Sequence, residues 1–524
     1  MTPGFIRKYV LEVTVFVCGA IVMVYEIIGS RIVSPFIGTS TYVWTSLIGV
    51  ILASLSLGYW LGGLMADKRP DIKILAFVIF LAGGLVSLTV LIKDVILVMV
   101  ASAPTGLEIK SLLAALLLFA PGSVALGFVT PYAIRLKMRS VSDSGATVGR
   151  LYALSTIGSI VGTFAAGFFL IPFVGSNRTL YVIAASLIVI SLFLAPFAFS
   201  RTSFGILTIF VFGIAGSELT AYYQLRTKGM HDVDTEYSRV QIFRGTEAKT
   251  GRPLRAMATD PYFVQSIIYL DGDELFAKYS HFYHLLRYLR PEFRSTLMIG
   301  GAGYTFPQNY LQTYPNASID VVEIDPAMTS IAREYFRLED SSRLKVIHDD
   351  GRVFLNRAEM GTYDAVLMDA FGSLFSVPYQ LTTIEAVQNI SRVLDDNGIV
   401  IFNLGSAIRG DSNRLLQAEL ATYHAVFPTV ELFKVNSDYP TMRSCVSYLT
   451  ATPPTCHSKS RFLPMISHLS NTTIRSLRIY IDADAIGLCR FLHIFFKQLK
   501  ANSTQFIRPV GENKNRKRRG EDCS

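Results

Sequence analysis

Cysteine and histidine are too scattered in this chain to form a recognisable metal or disulfide framework. The five cysteines among 524 residues have no CxxC spacing, which argues against a zinc site and against a disulfide scaffold. The eight histidines show no HExxH spacing. His281 and His284 lie three positions apart on a predicted helix, where a solvated or core-edge role is favoured over a metal pair. We therefore predict no bound metal.

Two phosphate-binding signatures and a nucleic-acid signature are also missing. The glycine turn that ends the segment LMIGGAG is not followed by GKS or GKT, so a P-loop is unsupported. Its glycines, Gly300, Gly301 and Gly303, do not fit GxGxxG, so hydride transfer is weakly supported. The basic run Lys514–Arg519 has no interleaved aromatic residues that could stack on bases, and we expect no nucleic-acid partner.

Charged residues are sparse up to about Tyr223 and recur every few positions from about Thr227. The first part instead contains apolar stretches of roughly 20 residues, the length that crosses a bilayer. We predict seven membrane spans, at 10–28, 41–65, 74–92, 111–134, 150–171, 179–199 and 203–222. Small residues four apart, which let helix backbones approach closely, are interpreted as helix-packing positions. They are Gly58, Gly62, Gly158 and Gly162.

The second half of the chain alternates strand-like and helix-like segments, which predicts a doubly wound parallel sheet with its ligand at the carboxyl ends of the strands. The predicted strands are 297–301, 318–323, 344–348, 363–369 and 398–403. A β-like region precedes them, and Ser266–Ala277 is interpreted as a hairpin that turns at Asp271-Gly272. The predicted organisation is a membrane domain at 1–225, a β-rich subdomain at 226–295, a Rossmann-like nucleoside-binding domain at 296–435 and an unassigned segment at 436–524.

Acidic residues follow three of these strands in series. Glu323 ends the second strand about 20 residues beyond the glycines, where a carboxylate binds a ribose diol. Asp350, which precedes Gly351 after the third strand, is a suitable acceptor for the exocyclic amine of adenine. Asp369 ends the fourth strand on the same edge of the sheet. The series predicts a nucleoside site.

The motifs EYSRV, YLDGDELF, FYHLL, IGGAG, VVEIDP, DDGRVFL and MDAFGS resemble those of spermidine synthases, the polyamine aminopropyltransferases. The membrane half, with VYEIIGSRI, resembles bacterial spermidine-synthase-like proteins that carry a multi-pass region. The resemblance runs to about residue 435. It implies a Rossmann-like fold of the methyltransferase type and an S-adenosylmethionine-type nucleoside at Gly300, Gly301, Gly303, Glu323, Asp350 and Gly351. It also implies that Asp369 orients or deprotonates the attacking amine.

Three positions depart from the spermidine synthase pattern. Tyr304 stands where these enzymes carry an aspartate after the glycines, and Gly372 stands where they carry a second aspartate. Ser238 replaces a glutamine that follows the tyrosine matching Tyr237. We expect Tyr237 and Tyr304 to lie at the substrate. Because a diamine carries two positive charges and favours carboxylates at both ends of its site, these losses affect diamine specificity more than nucleoside binding.

The sequence leaves three functions open. The leading one is a membrane-anchored transferase that moves an aminopropyl group from decarboxylated S-adenosylmethionine to a small amine or polyamine. A methyltransferase that uses S-adenosylmethionine is the alternative enzyme, and a polyamine- or nucleoside-binding transporter or sensor is the alternative without catalysis. The nucleoside is a co-substrate and no cofactor is expected to be permanently bound. The lipid bilayer is an expected partner, and a homodimer is left open.

Two observations disagree about which side of the membrane the soluble half faces. Basic residues fall in alternate connections, which the positive-inside rule assigns to the cytoplasm. They are Arg7, Lys8, Lys68, Arg69, Lys73, Arg135, Lys137, Arg139 and Arg150. Seven spans would then leave the soluble half outside the cytoplasm. The nucleoside is made in the cytoplasm, so we expect a multi-pass protein of the plasma or inner membrane whose soluble half is cytoplasmic. This needs one span reassigned: either Val95–Ala103 extends a re-entrant hairpin, or Phe204–Tyr222 lies along the interface.

Overall fold

A computed structural model describes residues 3–38, 40–138, 144–195, 201–260, 263–370, 378–407, 413–435, 444–452 and 507–509. The chain divides into two compact units. The first comprises residues 1–226, 231–241 and 259–263, and the second comprises 227–230, 242–258 and 264–524. The division near 226 falls beside the predicted domain boundary at 225, although the short segment 231–241 belongs with the helices.

Apolar helices build the first unit. Among the residues that the structure describes, six spans are long and apolar enough to cross a membrane: Tyr9–Ile37, Thr41–Lys68, Ile72–Ser102, Leu107–Lys137, Ser144–Val174 and Ser176–Leu194. The helices are α1 (Pro3–Ile37), α2 (Thr41–Lys68), α3 (Ile72–Ser102), α4 (Leu107–Gly127), α5 (Val129–Lys137), α6 (Ser144–Ala165, continued by a π-helical stretch Ala166–Val174), α7 (Ser176–Leu194) and α8 (Arg201–Lys228). The seventh predicted span lies within α8, and its crossing stays a prediction.

Close helix contacts in this unit depend on glycine. A Cβ on Gly158 would lie 2.0 Å from the carbonyl oxygen of Phe16, and a Cβ on Gly58 would lie 2.2 Å from that of Val124. Both distances are far below van der Waals contact, so a larger residue would push α6 away from α1, or α2 away from α4. The packing role predicted for the glycines spaced four apart is confirmed.

A sheet of seven strands forms the core of the second unit, in the order β10-β11-β9-β8-β5-β6-β7. Its strands are β5 (Ser295–Ile299), β6 (Ser318–Glu323), β7 (Leu344–His348), β8 (Tyr363–Met368), β9 (Leu394–Ala407), β10 (Thr429–Val435) and β11 (Ser444–Thr452). Strands β5 to β9 pair in parallel, and β11 pairs antiparallel to both β9 and β10. The predicted fold class is confirmed, and the sheet continues past the boundary placed at residue 435.

Helices connect the parallel strands. They are α10 (Thr305–Thr313), α11 (Pro326–Tyr335), α12 (Gly351–Arg357), α13 (Ile384–Val393) and α14 (Arg414–His424). Their apolar sides cover a sheet whose strands β5 and β8 are almost entirely buried, as parallel strands with both faces covered are. The carboxyl ends of the strands therefore open at one edge, where the loops that follow them converge.

A smaller sheet precedes this core. Its strands are β1 (His231–Asp234), β2 (Arg239–Glu247), β3 (Pro253–Asp260) and β4 (Phe263–Tyr269), in that order, with β12 (Ile507–Pro509) paired to β2. The predicted hairpin at 266–277 is reduced to a single antiparallel bridge between Ile268 and Leu275. Arg252 binds both Asp271 and Glu274, so ion pairs rather than a strand ladder hold the second arm. The chain continues through a 3-10 turn, Tyr279–Leu285, into the short helix α9 (Leu286–Leu289).

Candidate functional site

The loop after β5 brings glycine backbone against the end of β8. Gly300 has φ +97°, a left-handed conformation that glycine adopts without strain. A Cβ at Gly300 would lie 2.3 Å from the carbonyl oxygen of Asp369, so no side chain fits there. The backbone amide of Asp369 donates to the carbonyl of Ile299 at 2.8 Å. The glycine turn and Asp369 are thus held side by side at the carboxyl edge of the sheet.

Glu323 organises this glycine loop. One of its carboxylate oxygens accepts from the amides of Gly301 at 2.8 Å and Ala302 at 2.9 Å, and the other accepts from the amide of Asp325 at 3.0 Å. The side chain is buried. Because a carboxylate offers about four lone-pair positions, these three bonds leave one position for a further donor. Glu323 has the position that the sequence predicts for a ribose partner, and it also shapes the loop; contact with a ribose stays a prediction.

The far side of the glycine loop is fixed from within the core. The amide of Gly303 donates to the hydroxyl of Ser266 at 3.0 Å, and a Cβ at Gly303 would lie 2.7 Å from the Ser266 Cβ. Tyr304 is fully buried, and its hydroxyl shares a 2.8 Å hydrogen bond with Thr329. In this structure Tyr304 supports the loop from behind, and its predicted role toward a substrate stays a prediction.

Asp350 caps helix α12 at the same edge. One of its carboxylate oxygens accepts from the amides of Arg352 at 2.8 Å and Val353 at 3.0 Å. Its second oxygen has no hydrogen-bond partner in the described part of the chain and is free to accept from a ligand amine. The next residue, Gly351, lies so close to β5 that an added Cβ would meet Ile299 at 2.7 Å. Gly351 therefore lets α12 begin directly beside the glycine loop.

Asp369 lies among three polar side chains that the sequence analysis did not identify. Asn403 lies on β9, the strand that pairs with β8, and its side-chain amide donates to Asp369 Oδ1 at 2.7 Å. Burial raises the pKa of Asp369 to about 6, although side-chain hydrogen bonds from Asn403, Tyr283 and Tyr279 oppose the rise. An acid with a pKa near 6 is ionised at neutral pH and still basic enough to accept a proton.

Asn403 also has an unused hydrogen-bonding atom. The side chain is only 9% exposed, and its Oδ1 has no partner among the described residues. A buried acceptor without a donor is unfavourable by roughly 1–3 kcal/mol. The Asn403 side chain thus has one amide atom bonded to Asp369 and one buried atom without a partner among the described residues.

Sequence reasoning missed Tyr279, Tyr283 and Asn403. A signal existed for Tyr283, because it lies in the FYHLL motif, but no pattern connects that motif with Asp369, which is 86 positions later. Asn403 ends the predicted strand 398–403, where a polar residue inside an apolar run marks the carboxyl edge. Tyr237 is exposed and belongs to the first compact unit, so its predicted substrate contact stays a prediction. Gly372 lies outside the described residues.

No group of three or more His, Cys, Asp or Glu side chains suited to a metal ion occurs within the described ranges. The histidine pair singled out in the sequence takes other roles. His284 bonds to Tyr314 at 2.7 Å and to Asn309 at 2.9 Å, and burial lowers its pKa to about 4. An imidazole that is neutral and makes hydrogen bonds through both ring nitrogens has a structural role.

Comparison with known proteins finds similarity to polyamine aminopropyltransferases in the soluble half. The family model described as the spermine/spermidine synthase domain matches residues 276–442. The polyamine aminopropyltransferase of Vibrio vulnificus is 32% identical over 165 residues, which cover 31% of this chain and 53% of that protein. Polyamine aminopropyltransferase 1 of Streptomyces coelicolor is 24% identical over 432 residues, which cover 76% of each chain.

A methyltransferase also matches. The eEF1A lysine and N-terminal methyltransferase homolog of Drosophila melanogaster is 30% identical over 161 residues, 29% of this chain and 23% of that protein. This chain therefore spans about half of the Vibrio protein and a smaller share of the Drosophila one. The segment that follows the apolar helices, residues 276–442, is thus the part of the chain that is similar to the spermine/spermidine synthase domain.

Proposed function

We propose that this protein is an aminopropyltransferase that moves the aminopropyl group of decarboxylated S-adenosylmethionine to an amine. The observation that carries the proposal is Asp369, a carboxylate whose pKa is raised to about 6 beside the glycine loop of a synthase-type domain. An acid–base group next to a nucleoside-binding edge is what such a transfer needs, since the reaction otherwise depends mainly on positioning.

The step balances without a further reactant. The acceptor amine gives up a proton to Asp369 and attacks the propyl carbon bound to the sulfonium. A C–N bond forms and the C–S bond breaks, so the sulfur leaves as the neutral thioether of methylthioadenosine. The hydrogen bond from Asn403 holds the carboxylate in place, and the hydroxyls of Tyr279 and Tyr283 favour its ionised form before the proton arrives.

Product analysis tests this proposal directly. Purified full-length protein is incubated with decarboxylated S-adenosylmethionine and a panel of monoamines, diamines and polyamines. We expect methylthioadenosine and an amine that is longer by one aminopropyl unit to form in equal amounts. Formation of S-adenosylhomocysteine from S-adenosylmethionine, with no product from the decarboxylated donor, would show methyl transfer instead.

Methyl transfer is the second candidate, and one comparison favours it. The Drosophila methyltransferase homolog matches nearly as long a segment as the Vibrio enzyme does. The methyl and propyl carbons are both bonded to a sulfonium. A domain of this kind can therefore transfer either group, depending on whether its pocket binds S-adenosylmethionine or the decarboxylated form. Binding without turnover, as in a transporter or sensor, is the third candidate. It predicts nucleoside binding with neither product.

The nucleoside site gives a measurable prediction at Glu323. Glu323→Gln keeps the shape of the side chain but removes the charged acceptor for ribose hydroxyls. We expect binding of decarboxylated S-adenosylmethionine or methylthioadenosine to weaken by about 1–3 kcal/mol in calorimetry. The matched control is Glu339→Gln, which changes an exposed glutamate in the same unit and should leave binding unchanged. Equal affinity of Glu323→Gln and the unmodified protein would remove Glu323 from the nucleoside site.

The proposed setting is a cell membrane, with the bilayer and a small amine or polyamine as partners. Six helices are long and apolar enough for that setting. A homodimer is compatible with the proposal but is not required by it. Synthesis of the donor in the cytoplasm favours a cytoplasmic soluble half. The contacts of the helix bundle favour the opposite side.

A further inference from the structure

The two ends of the helix bundle differ in charge and in contacts. At one end, the basic end, Lys137 bonds to Glu12 at 2.8 Å and Arg135 bonds to Asp67 at 3.1 Å. The start of α1 therefore meets the end of α5, and the end of α2 lies there too. Connections at the opposite end, residues 38–40, 103–106 and 175, contain no lysine or arginine, and the basic side chains nearest to them, Lys110 and Arg178, lie within the helices that follow. By the positive-inside rule the basic end is cytoplasmic.

Helix α8 packs along the bundle, beginning near its basic end. Leu207 and Phe210, in the first third of α8, pack against Phe80 of α3 and Ile188 of α7. Phe80 lies in the first third of α3, which starts at the basic end, and Ile188 lies in the last third of α7, which ends there. The first part of α8 is therefore on the cytoplasmic side of the bundle.

Further along, α8 contacts parts of α3 and α7 that lie farther from the basic end. The carbonyl of Gly213 accepts from the Tyr181 hydroxyl at 2.8 Å, and a Cβ at Gly213 would lie 3.6 Å from Leu91. From Phe210 to Gly213 the residue numbers in α8 increase, while those of the contacted residues in α7 decrease from Ile188 to Tyr181. This order makes α8 antiparallel to α7 and parallel to α3, as a crossing helix would be. Over residues 207–213, where these contacts lie, α8 therefore runs in the same direction as α3 and opposite to α7.

The segment that follows α8 lies at the end without basic connections. The amide of Ser176, the first residue of α7, donates to Asp234 at 2.7 Å. Arg31, near the end of α1, donates to the carbonyl of Thr235 at 3.1 Å and also to that of Glu236. Both Ser176 and Arg31 lie on the side away from Lys137 and Glu12. All of these contacts fall within the first compact unit.

We infer that α8 is a seventh crossing helix and that the chain enters its soluble half on the non-cytoplasmic side of the membrane. The inference goes beyond the proposed reaction, because it concerns which pool of substrate the site meets. An outward-facing site would take its amine from outside the cell or from the periplasm, and its nucleoside donor would have to cross the membrane. The cytoplasmic expectation needed either a re-entrant hairpin extended by Val95–Ala103 or an interfacial Phe204–Tyr222. In the structure the first run forms the end of the single helix α3, and α8 follows α3 and α7.

Cysteine labelling of the full chain tests the inference without any need for activity. The five native cysteines are replaced by alanine, and one new cysteine is introduced at a time. Met360→Cys reports on the soluble half, where this side chain is 77% exposed. Lys68→Cys reports on the basic end and Thr105→Cys on the opposite end, at exposed positions. Intact spheroplasts are treated with a membrane-impermeant maleimide, and a permeabilised sample gives the total label.

We expect Met360→Cys and Thr105→Cys to reach full labelling in intact spheroplasts and Lys68→Cys to label only after permeabilisation. Labelling of Met360→Cys on the same side as Lys68→Cys, whichever side that is, would show that α8 does not cross and would overturn the inference. Labelling of Lys68→Cys from outside, with Met360→Cys protected, would overturn the assignment of the basic end. None of these patterns depends on whether the soluble half transfers an aminopropyl group.

Discussion

Turnover of Asp369→Asn should fall by about 10²–10⁴-fold, the usual contribution of a positioned general base. The substitution keeps the size of the side chain and retains a carbonyl oxygen that can accept from Asn403, which bonds to Asp369 at 2.7 Å. It removes only the group that takes up the amine proton. Because the nucleoside is expected at Glu323 and Asp350, its dissociation constant should change by no more than about threefold.

The measurements are steady-state rates of aminopropyl transfer and calorimetric binding of methylthioadenosine on the same preparations. Glu359→Gln is the matched control, since it converts an exposed acid of the same unit to its amide and should keep the full rate. A wild-type rate for Asp369→Asn would exclude the base assignment. Loss of nucleoside binding in step with rate would instead make Asp369 a structural group of the glycine loop.

The positions of the parallel strands along the soluble half were predictable because each of these strands has a local sequence signature. Strand β6 has the predicted bounds, 318–323, and so does β7, 344–348. Both are short apolar runs that end in a polar residue, and the parallel sheet then brings those ends together without any knowledge of side-chain contacts. The convergence of Gly300, Glu323 and Asp350 at one edge follows from this topology.

The detailed roles of the same residues were harder to predict from the sequence, because they depend on hydrogen bonds with backbone amides. Glu323 was predicted as a ribose partner from its spacing, yet the structure shows that it also accepts from Gly301 and Ala302. Spacing indicates that a carboxylate lies near a loop, but not which donors it satisfies. Tyr304 shows the same limit. It follows the glycines in sequence, whereas its φ of +52° turns its side chain into the core.

Contacts between distant segments were the least predictable part of the site. Tyr283 lies in the turn before the parallel sheet and Asn403 lies within β9. Asn403 bonds to Asp369, and the Tyr283 hydroxyl acts to lower the pKa of the same carboxyl. Neither has a neighbour in sequence that signals acid–base chemistry. Only the pairing of β8 with β9, which places Met368 opposite Phe402, brings Asn403 beside Asp369.

Asn403→Leu should shift the pH dependence of kcat/KM toward higher pH. In the unmodified protein, activity should rise with pH through an apparent pKa near 6, because Asp369 must be ionised to accept a proton and burial raises its pKa to about 6. The Asn403 amide donates to the ionised form and so lowers that pKa. Removing the donor should raise the apparent pKa by about one unit, which corresponds to roughly 1.4 kcal/mol of lost hydrogen bonding to the charge.

A pH profile distinguishes an effect of Asn403 on the pKa of Asp369 from a purely structural role of Asn403 in β9. Asn403→Gln retains an amide and should keep the apparent pKa near that of the unmodified protein, whereas Asn397→Leu, the same substitution at an exposed position on β9, should leave both rate and profile unchanged. If Asn403→Leu lowered the rate equally at every pH, the amide would be shaping the site without acting on the Asp369 charge. If its profile and rate both matched those of the unmodified protein, the bond between Asn403 and Asp369 would have no part in the reaction.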